Sequence, residues 1–447
     1  MEEHVFVRHL LILSVLLLGS SAGQTQTTRA PDLPEPCRAD VKDDLATLES
    51  RKQRLEREIA EKTAALPPAA DRRSKSLSEA LGKDHELLIS TVFQIDCLAV
   101  QQPQPSPAFT RRAVPKAPTA KSLVEITTYY ATNRNRSGAS EPAAFYGAKV
   151  EGTLEYGRAV VTIPLTHSPG NIELPSFWKL EREDRNKHFV LKSVEPLSLD
   201  ATRAEMADRL QTSESKAILA FVHGYNVGFR EAAMRTAQLA HDLKFVGLPF
   251  FYSWPSAARV TAYLQDADAA ELSEGVFEQL IEDLASLPVT DVYLIAHSMG
   301  NRIVSKALRA RVDKGKGIGK LRELLLAAPD INADLFRTVI APRLAAMQGT
   351  RITVYASSSD LALRASRALH RFGRVGETNP GVFVYPRIDT IDASGASSVI
   401  RAYGHSYIMD SQAVLKDIYG VIQQRVSAKQ RGLAEVGNAP NSHWKLP

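Results

Sequence analysis

Cysteine is nearly missing from this chain: 447 residues hold two, Cys37 and Cys97, too few for a thiolate metal centre. Long apolar runs are scarce as well. Leu10 to Leu18 is apolar over only nine residues, too short to cross about 30 Å of hydrocarbon as a helix. Charge of one sign is never concentrated. The net charge of +5 and pI near 9.0 are spread over interspersed acids and bases, with no run of five or six like charges and no interleaved basic and aromatic strip, which excludes a nucleic-acid-binding surface. Also missing are an H-E-x-x-H pair, a Walker pattern and a glycine-rich phosphate loop after a strand. Neither a metal nor a cofactor is therefore expected.

What is present begins with the apolar run itself. The small residues Gly19 to Gly23 follow it, so residues 1–23 read as a signal peptide for export to the periplasm or the medium. Glu2 and Glu3 against Arg8 depart from the positive start of such signals, which keeps an uncleaved anchor open as the alternative. Residues 37–100 are charged and helical in period: Leu45, Leu48, Leu55 and Ile59, a stop at Pro67-Pro68, then Leu77, Leu81, Leu87, Leu88, Val92 and Ile95. The simplest reading is a helical hairpin whose open end brings Cys37 to Cys97. In an exported protein such a pair is expected to be a disulfide, and closing a loop of about 60 residues stabilises the module by roughly 4 kcal/mol in the chain-entropy model. Residues 101–119 hold five prolines and no apolar period, the composition of an extended linker.

The remainder, 120–428, opens with strand-like Val124 to Tyr130, Arg158 to Ile163 and Phe189 to Val194, with Ala131 to Pro142 between the first two as a polar loop. From Ala217 strands alternate with helical patterns, through Gly247 to Ser253, Asp291 to Ala296, Glu323 to Ala327, Arg351 to Ala356 and Val382 to Tyr385, to a final helix over Met409 to Arg425. This is the rhythm of an α/β fold with a mostly parallel central sheet and helices on both faces, with ligands at the carboxyl ends of the strands. Residues 429–447 read as a flexible tail.

The central stretch is DVYLIAHSMGN, Asp291 to Asn301. A strand runs directly into a turn and a helix, with Ala296 and Gly300 two residues either side of Ser298. That is the spacing of a nucleophile elbow, G-x-S-x-G, with alanine for the first glycine. A second strand end, Ala220-Phe221-Val222, leads into His223-Gly224-Tyr225-Asn226. A glycine there allows close backbone approach, and the N–H groups of Tyr225 and Met299 are the candidate oxyanion donors.

Six segments, YYATNR (129–134), FVHGYNV (221–227), SWPS (253–256), AHSMGNR (296–302), AAPDI (327–331) and GHSY (404–407), resemble in that order a bacterial alpha/beta-hydrolase family catalogued as a domain of unknown function. The resemblance covers about Leu123 to Arg425 and leaves the hairpin outside. It implies the fold and a serine nucleophile, and little about the substrate.

A serine needs a base, and in this fold the order is Ser, acid, His. Among His370, His405 and His443, only His405 falls in the loop after the last strand, where the base belongs. Asp360, after the seventh main strand of the fold, is the expected acid, with Asp330, after the sixth, as the alternative. Trp254 at a strand end reads either as a pocket wall or as packing. The expected activity is a carboxylic ester hydrolase working through an acyl-enzyme on a small or lipid-like ester. Acyl transfer from the same site is one alternative. A non-catalytic envelope protein, with the hairpin as its partner-binding surface, is the other.

Overall fold

The computed structural model describes residues 44–64, 84, 87, 91, 123–175, 181–259, 262–317, 320–396, 407–438 and 440–447. The expected signal segment, Cys37, Cys97, the expected linker 101–119 and His405 lie outside the described residues, as does most of the expected second helix of the hairpin. A helix over the first part of that module, α1 (Leu45–Ala64), is described. It buries Leu48 and Leu55, two positions of its apolar stripe, and Lys62 at its end pairs with Asp84 at 2.5 Å.

Eleven strands form one sheet in the order β10-β11-β9-β8-β7-β6-β4-β5-β1-β2-β3. Six run in parallel from β5 to β9: β5 (Leu248–Ser253), β4 (Ala217–Val222), β6 (Asp291–His297), β7 (Leu321–Ala327), β8 (Arg351–Ala356) and β9 (Ile388–Asp392). β1 (Leu123–Arg136) joins β5 in parallel, and β2 (Tyr146–Pro164) and β3 (Val190–Leu197) extend that edge antiparallel.

The central strands are apolar at nearly every position because both faces are covered. Ile218, Ala220 and Val222 of β4 enter one core, and Ala217, Leu219 and Phe221 the other. The first core is closed by α2 (Leu199–Thr212), by α5 (Glu274–Ala285), which follows α4 (Tyr263–Leu272), and by α6 (Gly300–Asp313). The second is closed by α3 (Phe229–Asp242) and α8 (Gln412–Tyr419). Each of these helices turns its buried residues to the sheet: Phe277, Leu280 and Ile281 of α5, for example, or Phe229, Ala233 and Ala237 of α3.

The path of the chain fixes where a ligand can sit. After β4 it goes to β5 on one side, then crosses to β6 on the other. Val222 at the end of β4 stands beside Ala296 of β6 and Tyr252 of β5. The loops after β4 and β6 therefore leave the sheet side by side at the switch point, where α/β sheets bind ligands.

Three expectations are corrected. Ala131 to Arg134 are not loop but the continuation of β1, and they are buried; their polar side chains are satisfied inside the protein, as described below. Val382 to Tyr385 is not the last parallel strand, which is β9, three residues further on. Phe383 instead packs on Phe336 at 5.2 Å beneath the guanidinium of Arg337. The tail 429–447 is not free: β10 (Ala434–Val436) and β11 (His443–Lys445) form a hairpin, and β11 adds in parallel to β9. Leu433 and Leu446 are buried there, and the Leu446 N–H donates to the Asp392 carbonyl at 3.0 Å. Its few apolar residues are spaced too widely to read as strands.

Candidate active site

Ser298 follows the last residue of β6 and precedes α6, with φ at 51°. A serine in the left-handed region costs on the order of 1 kcal/mol, so neighbours must hold it there. Its N–H donates to the Ala327 carbonyl at 2.9 Å, and its own carbonyl accepts the N–H of Asn301 at 3.1 Å and of Asp330 at 3.3 Å. The buried Asn301 amide donates to the carbonyls of both Ser298 and Ala327. A side chain at Gly300 would place a Cβ 2.3 Å from the His223 carbonyl, so that position admits only glycine. Ala296, wholly buried, carries its methyl without conflict.

The loop after β4 lies against this turn. A Cβ built on Gly224 would fall 2.6 Å from the Ser298 Cβ, which places the Gly224-Tyr225 backbone directly beside the serine. His223 donates no proton to the reaction in this arrangement. Its Nδ1 bonds the Gly224 carbonyl at 2.8 Å and its ring stacks on Trp254 at 5.1 Å. Burial first, and the charge of Arg134 second, lower its pKa to about 3. Trp254 is fully buried, and its indole N–H donates to the His223 carbonyl at 2.7 Å; it fixes the loop rather than lining a pocket.

Sequence reasoning missed the residues that hold this loop. The buried Arg134, at the end of β1, donates through Nε to the Ser253 hydroxyl at 2.8 Å. Its Nη1 reaches the Ser256 and Gly147 carbonyls, and its Nη2 the Val227 carbonyl at 2.8 Å. Burial lowers its pKa to about 10, and the charge of Asp266 opposes the shift. Asp266 on α4 in turn accepts the Ser256 hydroxyl at 2.5 Å and the N–H groups of Ala257 and Asn226. Asn226 takes φ 58° at the tip. The segments YYATNR, HGYN and SWPS thus form one buried polar network around the strand ends beside Ser298. The signals in the sequence were the segments YYATNR and SWPS of the family resemblance, whose polar residues carried no local pattern that assigned them this task.

The two acids have different surroundings. Asp330, beyond the end of β7, is saturated. One oxygen takes the Ser366 hydroxyl at 2.6 Å and lies 3.3 Å from Arg374 Nε; the other takes the Tyr263 hydroxyl at 2.5 Å and Arg302 Nη2 at 2.8 Å. Burial pushes its pKa up, but the two guanidiniums override this and hold the carboxyl well below the usual range. Asp360, in the loop after β8, is fully buried and accepts the Leu363 N–H at 3.0 Å, capping α7 (Leu361–His370). Glu377, a further buried carboxyl near Asp360, pairs with Arg367 at 3.3 Å, and burial raises its pKa to about 7. Of the other histidines, His370 on α7 bonds the Ser366 carbonyl at 3.0 Å and stands edge-on to Tyr263, while His443 is a residue of β11. Ser298, Tyr225 and Met299 are brought together; Asp330 and Asp360 occupy the ends of the next two segments of the sheet.

Among solved structures, the chain is similar to carboxyl esterase 2 from the fungus Tuber melanosporum, at 10% identity, covering 74% of this chain and 97% of that one with a TM-score of 0.31. It is also similar to an esterase from the archaeon Pyrobaculum calidifontis, at 11% identity over 84% and 97% of the two chains with a TM-score of 0.28. A third similarity is to a thermostable esterase from Pseudomonas putida, at 10% identity over 67% and 81% with a TM-score of 0.29. No curated protein sequence matches the chain. The family model "Alpha/beta hydrolase of unknown function (DUF900)" matches residues 198–416, an interval that holds the loop after β4, the Ser298 turn and both candidate acids. With this match, residues 198–416, just under half of the chain, belong to that alpha/beta-hydrolase family, and they fold as a mostly parallel sheet whose switch point carries a strand-serine-helix turn.

Proposed function

We propose that this protein is a serine hydrolase acting on carboxylic esters. The observation that carries the reading is the Ser298 turn: a serine at φ 51°, locked on both sides by backbone hydrogen bonds, with the Gly224 backbone against its Cβ. In this reading the Ser298 hydroxyl attacks the ester carbonyl while His405 takes its proton. The tetrahedral oxyanion receives the N–H groups of Met299 and Tyr225, each such donor worth roughly 3 kcal/mol. Collapse expels the alcohol, protonated by His405, and leaves an acyl-Ser298. Water, deprotonated by His405, then releases the acid and restores the serine. Asp360 holds the imidazole in the tautomer that accepts the proton. Asp360 is preferred to Asp330 in this reading because the Asp330 carboxylate already accepts from Ser366, Tyr263 and Arg302, with Arg374 Nε 3.3 Å away. Export across the inner membrane on the signal at residues 1–23 belongs to the same reading.

The test is rapid-mixing hydrolysis of a chromogenic short-chain ester by the full chain. An acyl-enzyme gives a burst of about one alcohol per chain where deacylation is the slower step. In Ser298→Ala, burst and turnover should both vanish. Turnover that survives the substitution would overturn the assignment.

A further inference from the structure

A second cluster of chemistry-bearing side chains lies away from Ser298, where the loop after β2 meets the carboxyl end of α3. His167 is 3% exposed at its side chain and Asp242 1%, and His241, half-buried, stands next to Asp242 on the last turn of α3. One ligand atom from each of the three falls within 4.8 Å of the others. We propose that His167, His241 and Asp242 bind a divalent transition metal of the zinc class, with water in the fourth position.

Two features favour a cation over an ordinary polar cluster. The first is the outer shell. His167 Nε2 faces Asp242 Oδ1 at 2.8 Å while its Nδ1 is held by Glu173 at 2.8 Å, the carboxylate-histidine arrangement that orients metal-bound imidazoles. The other oxygen of Asp242 is fixed by the Gly170 N–H at 2.9 Å and by Gln238 Nε2 at 2.6 Å, which leaves Oδ1 for the ion. The second is the spacing of the rings. Two imidazoles bound tetrahedrally, with zinc-nitrogen bonds of about 2 Å, place their ring centroids roughly 5 Å apart; those of His167 and His241 are 5.4 Å apart at 67°. The His241 ring makes no hydrogen bond among the described residues and is the ligand that swings in.

His167 lies 75 residues before Asp242, so the adjacent His241 and Asp242 alone announced no site. α3 has fourteen residues and is about 20 Å long, which separates this site from the loop that begins α3. The metal is therefore structural. It ties the loop 164–175 to α3, and through Gly170, packed on the Asp410 backbone, and Gln238, which donates to the Met409 carbonyl, to the segment ahead of α8.

The experiment uses the untagged full chain, stripped with a chelator and dialysed against micromolar zinc, with metal measured by plasma mass spectrometry and cobalt(II) as the spectroscopic probe. Wild type should retain about one zinc per chain and, with cobalt, show the strong visible bands of a four-coordinate site. His241→Ala, at a half-exposed position that leaves the fold intact by circular dichroism, should lose both, and Glu173→Gln should weaken zinc binding about 10- to 100-fold. No zinc retained by wild type, or retention undiminished in His241→Ala, would overturn the proposal; the second result would place the metal elsewhere in the chain.

Discussion

Asp330 and Asp360 stand beyond neighbouring strands and are built for different work. Asp330 compensates Arg302 and Arg374, both mostly buried, at the cost of its own freedom. Asp330→Asn leaves two buried guanidiniums without a counter-charge and should cost about 3–5 kcal/mol of stability, read by urea unfolding. Asp360→Asn keeps the cap of α7, because asparagine caps as well as aspartate, and should instead lower kcat by about 10⁴ with the unfolding midpoint nearly unmoved. The reverse pattern would exchange the two roles. His223 supplies a pH signature at the same scale. Its unfolded value near 6.5 is depressed to about 3 in the fold, so the unfolded chain binds a proton there that the folded chain refuses. Stability from the neutral ring is fully present above pH 6.5 and is lost as pH falls. Between pH 7 and 4.5 the loss is roughly 3 kcal/mol, and unfolding of His223→Gln at the two pH values should show a correspondingly shallower fall.

At the scale of elements, the tail hairpin is the clearest case for measurement. β11 covers the open edge of β9, and Trp444, half-buried, reaches Asp389 with its indole N–H at 3.4 Å. Deleting residues 432–447 should lower the melting temperature by several degrees and expose an unpaired strand, with concentration-dependent association in sedimentation as the readout. An unchanged melting temperature and a monodisperse truncated protein would show that the hairpin contributes nothing. The same elements explain what could be read beforehand. β4 to β8 are largely apolar strands between long helices, and the Ser298 turn sits at the end of one, so the fold class and the strand-turn-helix at Ser298 were legible in the sequence. β1 was cut short because Thr132, Asn133 and Arg134 are polar, and polarity normally marks a loop. Here Thr132 bonds the Ser253 carbonyl, Asn133 bonds Ser273 and Tyr252, and Arg134 satisfies the loop after β4. Such partners lie 93 to 140 residues away and leave no local pattern. A separation of 75 residues likewise kept His167 apart from Asp242, while β9 and β11 are too short and too polar to stand out.

For the whole molecule, the sheet places the loops after β4 and β6 side by side at the ends of their strands. The export reading makes a chemical demand on the first hundred residues. Protein recovered from outside the cytoplasm should contain no thiol reactive to a maleimide until it is reduced, and its non-reducing digest should hold a peptide joining Cys37 to Cys97. Two free thiols in exported protein would remove the disulfide, and protein found only in the cytoplasm would remove the signal. All of this depends on the chemistry assigned to one side chain. The most direct measurement is labelling of the purified full chain with a fluorophosphonate, followed by peptide mass spectrometry. The expected result is a single stoichiometric adduct on the peptide containing Ser298, absent from a Ser298→Ala protein that melts at the same temperature. An adduct on another serine, or none on a protein that still hydrolyses esters, would contradict it.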